Sequence, residues 1–464
     1  MPPQPTGPLE HVDMGDGRKA PFYIAAFDKS GFPTNPRNQE ALVAAIASGD
    51  FTHLYLFSHG WNNDWPTATG RYRKFFEAFT ATRRQGGALP GEYSPLLVGV
   101  FWPSTALVFG DEKGPEMAAL PPGATSDDVG TGAEQEELRE LAEAVPADQR
   151  LRFYELAGAE RLNPQETKEL AELLLPAFRR PEAAAEASDE GAAPTADFSA
   201  DDLVKLWVKI PGATEEDEDE EDDSFGMPGE ASDGPAAAGL FSFLDPRKAV
   251  RMFTVRSMKD RAGVVGGSGV ARLLRAIVAA DSTLHTHLIG HSYGCKVVLS
   301  AIVGSRGVAP LADRAVTSAL LLQPAINFWA FAADVDDEGF PGGYHDAPRA
   351  VRQPILSTFS KKDFALRRSF HLAVTRKKDL GEVQMAGPFK PERYGALGGW
   401  GPRGLSDPQG REISMPAAGT DYPNLNSAEP GVLALEGSTL IGGHGDVVSE
   451  HTAWALFNQV RATF

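Results

Sequence analysis

His287-Leu-Ile-Gly-His-Ser-Tyr-Gly-Cys295 ends an apolar run that begins at Leu284 and leads into a second, Cys-Lys-Val-Val-Leu-Ser-Ala-Ile-Val, that starts at Cys295. Its centre, Gly290-His-Ser-Tyr-Gly294, matches G-x-S-x-G between a strand-like and a helix-like pattern. A serine at so tight a turn sits in strained backbone, and side chains two positions away on either flank would clash. Glycine at both flanks removes those clashes. The Ser292 hydroxyl then projects at a helix N-terminus, where partial positive charge favours a developing anion. A glycine-rich turn whose serine only caps a helix would carry the same letters. The flanking runs favour Ser292 as a nucleophile.

Outward from this turn, short apolar runs alternate with helical patterns, which predicts an α/β protein with a mostly parallel central sheet flanked by helices on both faces. Strands are expected at 22–27, 53–57, 96–101, 284–289, 318–322, 355–359 and 432–435, and helices at 67–84, 269–280, 295–303 and 447–460. No internal repeat is present.

A second segment, Phe57-Ser-His-Gly-Trp-Asn-Asn63, follows the second expected strand. Together with the serine turn it resembles the α/β-hydrolase superfamily. A more particular likeness is to a little-characterised bacterial and fungal group, through His59-Gly-Trp-Asn-Asn-Asp64, Met258-Lys-Asp-Arg-Ala-Gly-Val-Val-Gly266 and Gly398-Gly-Trp-Gly-Pro402. The likeness covers both ends of the chain and not its middle, and it implies a fold without naming a substrate. It also implies an oxyanion hole built from two backbone amides, one from the loop after the third strand of the sheet and one from the residue after the nucleophile. Here those are Trp61 and Tyr293. His59 itself is read as tying down its loop. The glycine-rich Val264-Val-Gly-Gly-Ser-Gly-Val270 lacks the G-K-[ST] ending of a phosphate loop and is read as letting a helix begin close to the sheet, so no nucleotide is assigned.

A nucleophilic serine needs a base and an acid that orients the base, in the chain order Ser, Asp or Glu, His for this fold. Asp363 ends an apolar strand and polar turn, Ile355-Leu-Ser-Thr-Phe-Ser-Lys-Lys-Asp363, and is the expected acid; its competing role is to cap the helix that follows. Asp379 is a weaker substitute, because no convincing strand runs into it. His444 lies in the glycine-flanked Leu440-Ile-Gly-Gly-His-Gly-Asp446 and is the expected base, whereas His451 falls inside the last helical pattern. Asp446 is expected to cap that helix. No cofactor and no metal are expected. H-E-x-x-H is absent, and His287 and His291, though four apart, span a strand and turn instead of one helix face. His285 and His287 share a strand face and are read as packing, as is Cys295, the only cysteine.

The chain has 464 residues and a net charge of −19. Residues 105–250 hold 35 acidic against 12 basic side chains and the rest 28 against 32, so the whole excess lies in the middle. That divides the chain into an N-terminal core segment, residues 1–104, an acidic insertion, residues 105–250, and a C-terminal core segment, residues 251–464. The insertion contains helical patterns at 134–144, 149–157 and 165–178, and a run from Glu215 to Asp223 in which every residue is acidic. It is expected to form a lid with disordered segments, 181–200 and the acidic run among them. The run offers a surface to a basic partner and otherwise reads as solvated charge. No nucleic-acid partner is expected; the acidity argues against one for the insertion alone, the remainder being near neutral. No apolar run reaches the roughly 20 residues of a membrane span, and the start lacks a signal-like apolar segment, so a cytoplasmic protein without a transmembrane segment is expected. The function expected from these residues is hydrolysis of a small-molecule or lipid carboxylic ester through Ser292, Asp363 and His444. The alternatives are acyl transfer or amide hydrolysis on the same residues, or a non-catalytic interaction protein that displays the insertion.

Overall fold

The computed structural model describes residues 5–104, 138–179, 199–208, 245–368 and 395–464, apart from 16, 18, 88, 90, 91, 140, 306, 337, 338, 406–408, 424, 427 and 428. The acidic run, residues 181–198 and Asp379 lie outside the described residues.

Nine strands form one sheet: β1 Glu10–Asp13, β2 Lys19–Ala26, β3 His53–Ser58, β4 Pro95–Phe101, β5 His285–His291, β6 Ser318–Leu322, β7 Ile355–Phe359, β8 Gly410–Ser414 and β9 Val432–Glu436. Their spatial order is β1-β2-β4-β3-β5-β6-β7-β9-β8. Every neighbouring pair is parallel except β1 with β2. The fold is therefore α/β, with a mostly parallel sheet, as the alternating pattern predicts.

Both faces of the sheet are buried, and the two-residue period of the strands divides its side chains between two cores. On β3, Leu54 and Leu56 join one core while Tyr55 and Phe57 join the other. The first core is covered by α1 (Pro36–Ala47), through Leu42 and Ile46, and by helices from the second half of the chain. The second is covered by α2 (Trp65–Gly86), through Phe75, Phe76 and Phe79.

All seven expected strands are present, five of them with ends shifted by one to three residues. Two strands and α1 are among the additions to the expected elements. β1 and β8 sit at the two edges, where only one side is paired, and neither has a fully buried residue. Each places one apolar side chain, Val12 or Ile413, partly against the second core, too little to carry a periodic signal.

Within the central segment, α3 (Arg150–Ala157), α4 (Pro164–Arg179) and α5 (Ala200–Val208) pack into a third apolar cluster around Phe153, Leu170, Leu174, Leu203 and Trp207. The first two occupy expected helical patterns. The third does not, although it brings the buried Trp207. α6 (Pro246–Val264) joins this cluster to the main fold: Ala249, Val250 and Phe253 pack against the small helices, and Met258 and Ala262 lie in the sheet core. The boundary at 250/251 thus falls inside one continuous helix.

α6 runs into a π-helical turn, Val265–Val270, and then α7 (Ala271–Ala280). The expected helix start at the glycine-rich segment is corrected here, since the segment lies within a helical run. A Cβ on Gly266 would come within 2.4 Å of the Val297 carbonyl oxygen in α8 (Tyr293–Val303), and one on Gly269 within 2.3 Å of that of Gly31. The glycines therefore admit a neighbouring helix and a loop; they do not start a helix against the sheet. The run Arg256–Ala280 is long and apolar enough to cross a membrane by length and composition, and 61% of its most apolar window is buried inside the fold.

Further helices are a 3₁₀ turn at Ala347–Ala350, α9 (Phe364–Arg368), α10 (Leu397–Trp400) and α11 (Glu450–Arg461), the last packed on α2 through Trp454 and Phe457.

Candidate active site

Ser292 lies between β5 and α8 at φ 55° and ψ −124°, a left-handed φ that a residue with a side chain adopts only under local constraint. The constraint is visible on both sides. A Cβ on Gly290 would stand 2.6 Å from Cys295 Cα, and one on Gly294 would stand 2.1 Å from the Ser58 carbonyl oxygen. The turn is pinned by Ser292 N–H donating to the Leu322 carbonyl at 3.0 Å and by Ala325 N–H donating to the Ser292 carbonyl at 3.3 Å. Gly294→Ala forces backbone apart and is expected to destabilise by about 1–3 kcal/mol or more. The control is Gly70→Ala in α2, where an added Cβ meets nothing within 4 Å; it should stabilise by about 0.5–1 kcal/mol. Melting temperatures of the two variants against the parent measure both; equal melting temperatures would contradict the close approach at Gly294.

The structure brings the three expected polar side chains into one line. His444 Nε2 lies 2.8 Å from Ser292 Oγ, and His444 Nδ1 lies 2.8 Å from Asp363 Oδ2. Asp363 is fully buried and the His444 side chain is 9% exposed. A carboxylate only accepts, so Nδ1 carries the proton toward Asp363 and Nε2 accepts from the serine hydroxyl.

Each side chain is positioned by its own element. Asp363 follows β7 and precedes α9: its Oδ1 accepts the Leu366 N–H at 3.0 Å while Oδ2 faces His444. The carboxylate thus caps the helix with one oxygen and faces His444 with the other. His444 sits in the loop between β9 and α11. Asp446 does not cap the following helix, a correction to the sequence expectation. Its carboxylate accepts the Gly442 N–H at 2.8 Å and closes the histidine loop on itself, while Ser449 caps α11 in a capping box with Thr452. Ser449 is the residue next to the first helical turn, so only its side chain can reach those amides. His451 lies on α11, where its Nδ1 accepts the Ala418 N–H at 3.2 Å, away from the serine.

The segment from His59 to Asp64 folds as a self-tied loop beside the nucleophile. His59 is fully buried, with Nδ1 donating to the Gly60 carbonyl at 2.8 Å and Nε2 accepting the Trp102 N–H at 3.3 Å; its ring stacks on Trp102 at 5.5 Å. Burial holds the His59 imidazole down to about 3, so it is neutral. Asn63 Nδ2 donates to the Trp61 carbonyl at 2.8 Å, and the Asp64 carboxylate caps α2 by accepting from Thr67 N–H at 2.8 Å. A Cβ on Gly60 would lie 2.7 Å from Ser292 Cβ, so the loop passes directly against the serine. Trp61 follows that contact, and Tyr293 is the first residue of α8. The two residues expected to supply amides to an anion therefore come directly after Gly60 and after Ser292 in the chain.

Gln323 is absent from the residues expected from the sequence. It follows β6 at φ 45°, is fully buried, and donates from Nε2 to Asp363 Oδ2 at 3.0 Å, the oxygen that faces His444. Its Oε1 accepts from Thr358 Oγ1 at 3.0 Å, which fixes the amide's orientation. The signal that could have found it is its place just past a strand's carboxyl end, where parallel sheets assemble their sites.

At the opposite ends of the central strands, His53, His285 and His287 stack: the His53 ring lies 4.9 Å from that of His285 and 5.5 Å from that of His287. They pack, as expected for the two on β5. Among the described residues no group of three or more His, Cys, Asp or Glu is arranged to hold a metal ion. Cys295 is buried in the first core, where burial pushes its thiol well above the ordinary range.

No family model, no curated protein and no solved structure matches this chain.

Proposed function

We propose that this chain is a serine hydrolase with an α/β-hydrolase fold, cleaving a carboxylic ester through an acyl-enzyme intermediate. The observation that carries the reading is the hydrogen-bonded line Ser292, His444, Asp363, at 2.8 Å and 2.8 Å, on a serine held at φ 55°. Further support comes from the chain order Ser, Asp, His and from three loops that meet at the carboxyl ends of parallel strands.

In the proposed reaction His444 Nε2 takes the proton of Ser292 as Oγ attacks the ester carbonyl, and a tetrahedral oxyanion forms. The amides of Trp61 and Tyr293 donate to that oxygen; one such donor is worth on the order of 10²–10³ in rate. Buried Asp363 stabilises the imidazolium, which returns its proton to the departing alcohol. Water, activated by the same histidine, then attacks the acyl-serine and releases the acid. Esters are preferred to amides in this reading because the alcohol is the easier leaving group.

A fluorophosphonate probe tests the reading. It is expected to label the purified protein stoichiometrically, with mass spectrometry placing the adduct on Ser292, and graded p-nitrophenyl esters should be hydrolysed with a definite acyl-length optimum. A folded protein that neither labels nor turns over any ester would favour a non-catalytic interaction protein. Acyl transfer is recognised by product partitioning: added alcohol or amine would capture most of the acyl group ahead of water.

A further inference from the structure

The variable position of Gly290-His-Ser-Tyr-Gly294 before the nucleophile is His291, fully buried at the end of β5. Its ring lies beside that of His444, with centroids 5.1 Å apart. Two contacts define it. Arg71 Nη1, from α2, is 2.9 Å from His291 Nδ1, and the main-chain carbonyl oxygen of His444 is 3.0 Å from His291 Nε2.

A guanidinium has only donors and a carbonyl only accepts, so both contacts demand the same tautomer: Nδ1 bare, Nε2 protonated. Burial, with the Arg71 charge next, holds His291 well below its ordinary range, so the ring is neutral and that single proton is committed to the His444 carbonyl. The bond matters because the loop around His444 has glycine at 442, 443 and 445 and is closed on itself by Asp446, while the His444 carbonyl is held from outside the loop by His291. Asp363 orients the His444 ring. The tie from His291 to the main chain adds a second hold, on the backbone from which that ring reaches Ser292.

We propose that His291 is a positioning residue for the general base: its Nε2–H anchors the His444 main chain so that the imidazole reaches Ser292 Oγ, and Arg71 selects the tautomer that makes this possible. The proposal rests on the serine-hydrolase reading for its kinetic consequence, though not for its structural content.

Side-chain replacements separate anchoring from packing. Gln places an amide nitrogen where His carries Nε2, Asn places one where His carries Nδ1, and Leu fills the space with no donor. His291→Leu and His291→Asn are expected to lower kcat and the fluorophosphonate labelling rate about 10–100-fold, with KM changed less than about threefold, because the base is displaced and the substrate site is not. His291→Gln is expected to recover activity to within about fivefold of wild type, by the same positional argument. Leu and Asn variants that label as fast as wild type overturn the proposal, and so does a Gln variant no better than Leu. Should the Leu variant fail to fold, imidazole ¹⁵N spectra of the wild-type protein decide instead: Nε2 protonated and Nδ1 bare between pH 6 and 8 upholds the anchor, and an Nδ1-protonated or cationic His291 overturns it. That measurement does not depend on turnover, so a wild-type protein that fails to label at Ser292 removes the hydrolase reading while the spectra still rule on His291.

Discussion

Ser292→Ala is expected to abolish ester turnover, by on the order of 10⁴-fold or more, in a protein whose circular dichroism and melting temperature are unchanged. The hydroxyl is the only covalent partner in the proposed reaction, and its removal takes little from the fold. The turn is held by backbone bonds to Leu322 and from Ala325, which alanine keeps. His444→Ala should lose nearly as much, and the double variant should be no worse than either single one, because serine and base act as one unit. Asp363→Asn should also lose heavily, since an amide can present its NH₂ to Nδ1 and turn the imidazole into the wrong tautomer. His451→Ala should keep most of the activity: His451 lies on α11, where its Nδ1 accepts the Ala418 N–H, away from Ser292. Near-wild-type turnover by a folded Ser292→Ala protein would falsify the nucleophile assignment, and an inactive His451→Ala beside an active His444→Ala would relocate the base.

The second large effect is acid lability between pH 7.5 and 5.5. Four histidines, His53, His59, His287 and His291, are at most 1% exposed. Burial is the first cause of the depression of each: His53 and His59 are held down to about 3, and His287 and His291 well below their ordinary value. The unfolded chain protonates these rings near pH 6.5 and the folded chain does not. Stability is therefore fully present above 6.5 and is lost as pH falls below it, at a slope approaching about 1.4 kcal/mol per pH unit for each ring. Four rings together lower stability by about 5 kcal/mol at pH 5.5 relative to 7.5, against a typical total of about 5–15 kcal/mol. Urea unfolding midpoints at the two pH values measure this. A midpoint that does not move would show that the rings protonate in place.

Much of the arrangement around Ser292 is local, and local requirements are legible in letters. The strained turn needs small residues at two fixed offsets, a strand before it and a helix after it, all within about 20 residues. The same holds for the loop from His59 to Asp64, whose side chains bond to their own backbone and then cap α2. Asp363 and His444 were reachable by a weaker route, as residues placed just past strands in the right chain order. At Asp363 helix cap and acid look like alternatives in a linear string, whereas in three dimensions two carboxylate oxygens serve two partners.

Strand periodicity and the Ser292 turn were thus determined by the amino-acid sequence alone, because each is a property of neighbours along the chain. Only the tertiary structure decided which distant residues meet there. Gln323 reaches Asp363 across 40 residues, His291 reaches the His444 carbonyl across 153, and Arg71 reaches His291 across 220. Those separations carry no periodic or spacing signal. The pairings follow instead from the order β3-β5-β6-β7-β9, which sets the carboxyl ends of consecutive parallel strands side by side. The same reason hid β1 and β8: an exposed edge strand is defined by the neighbour it pairs with, and its own residues need bury nothing.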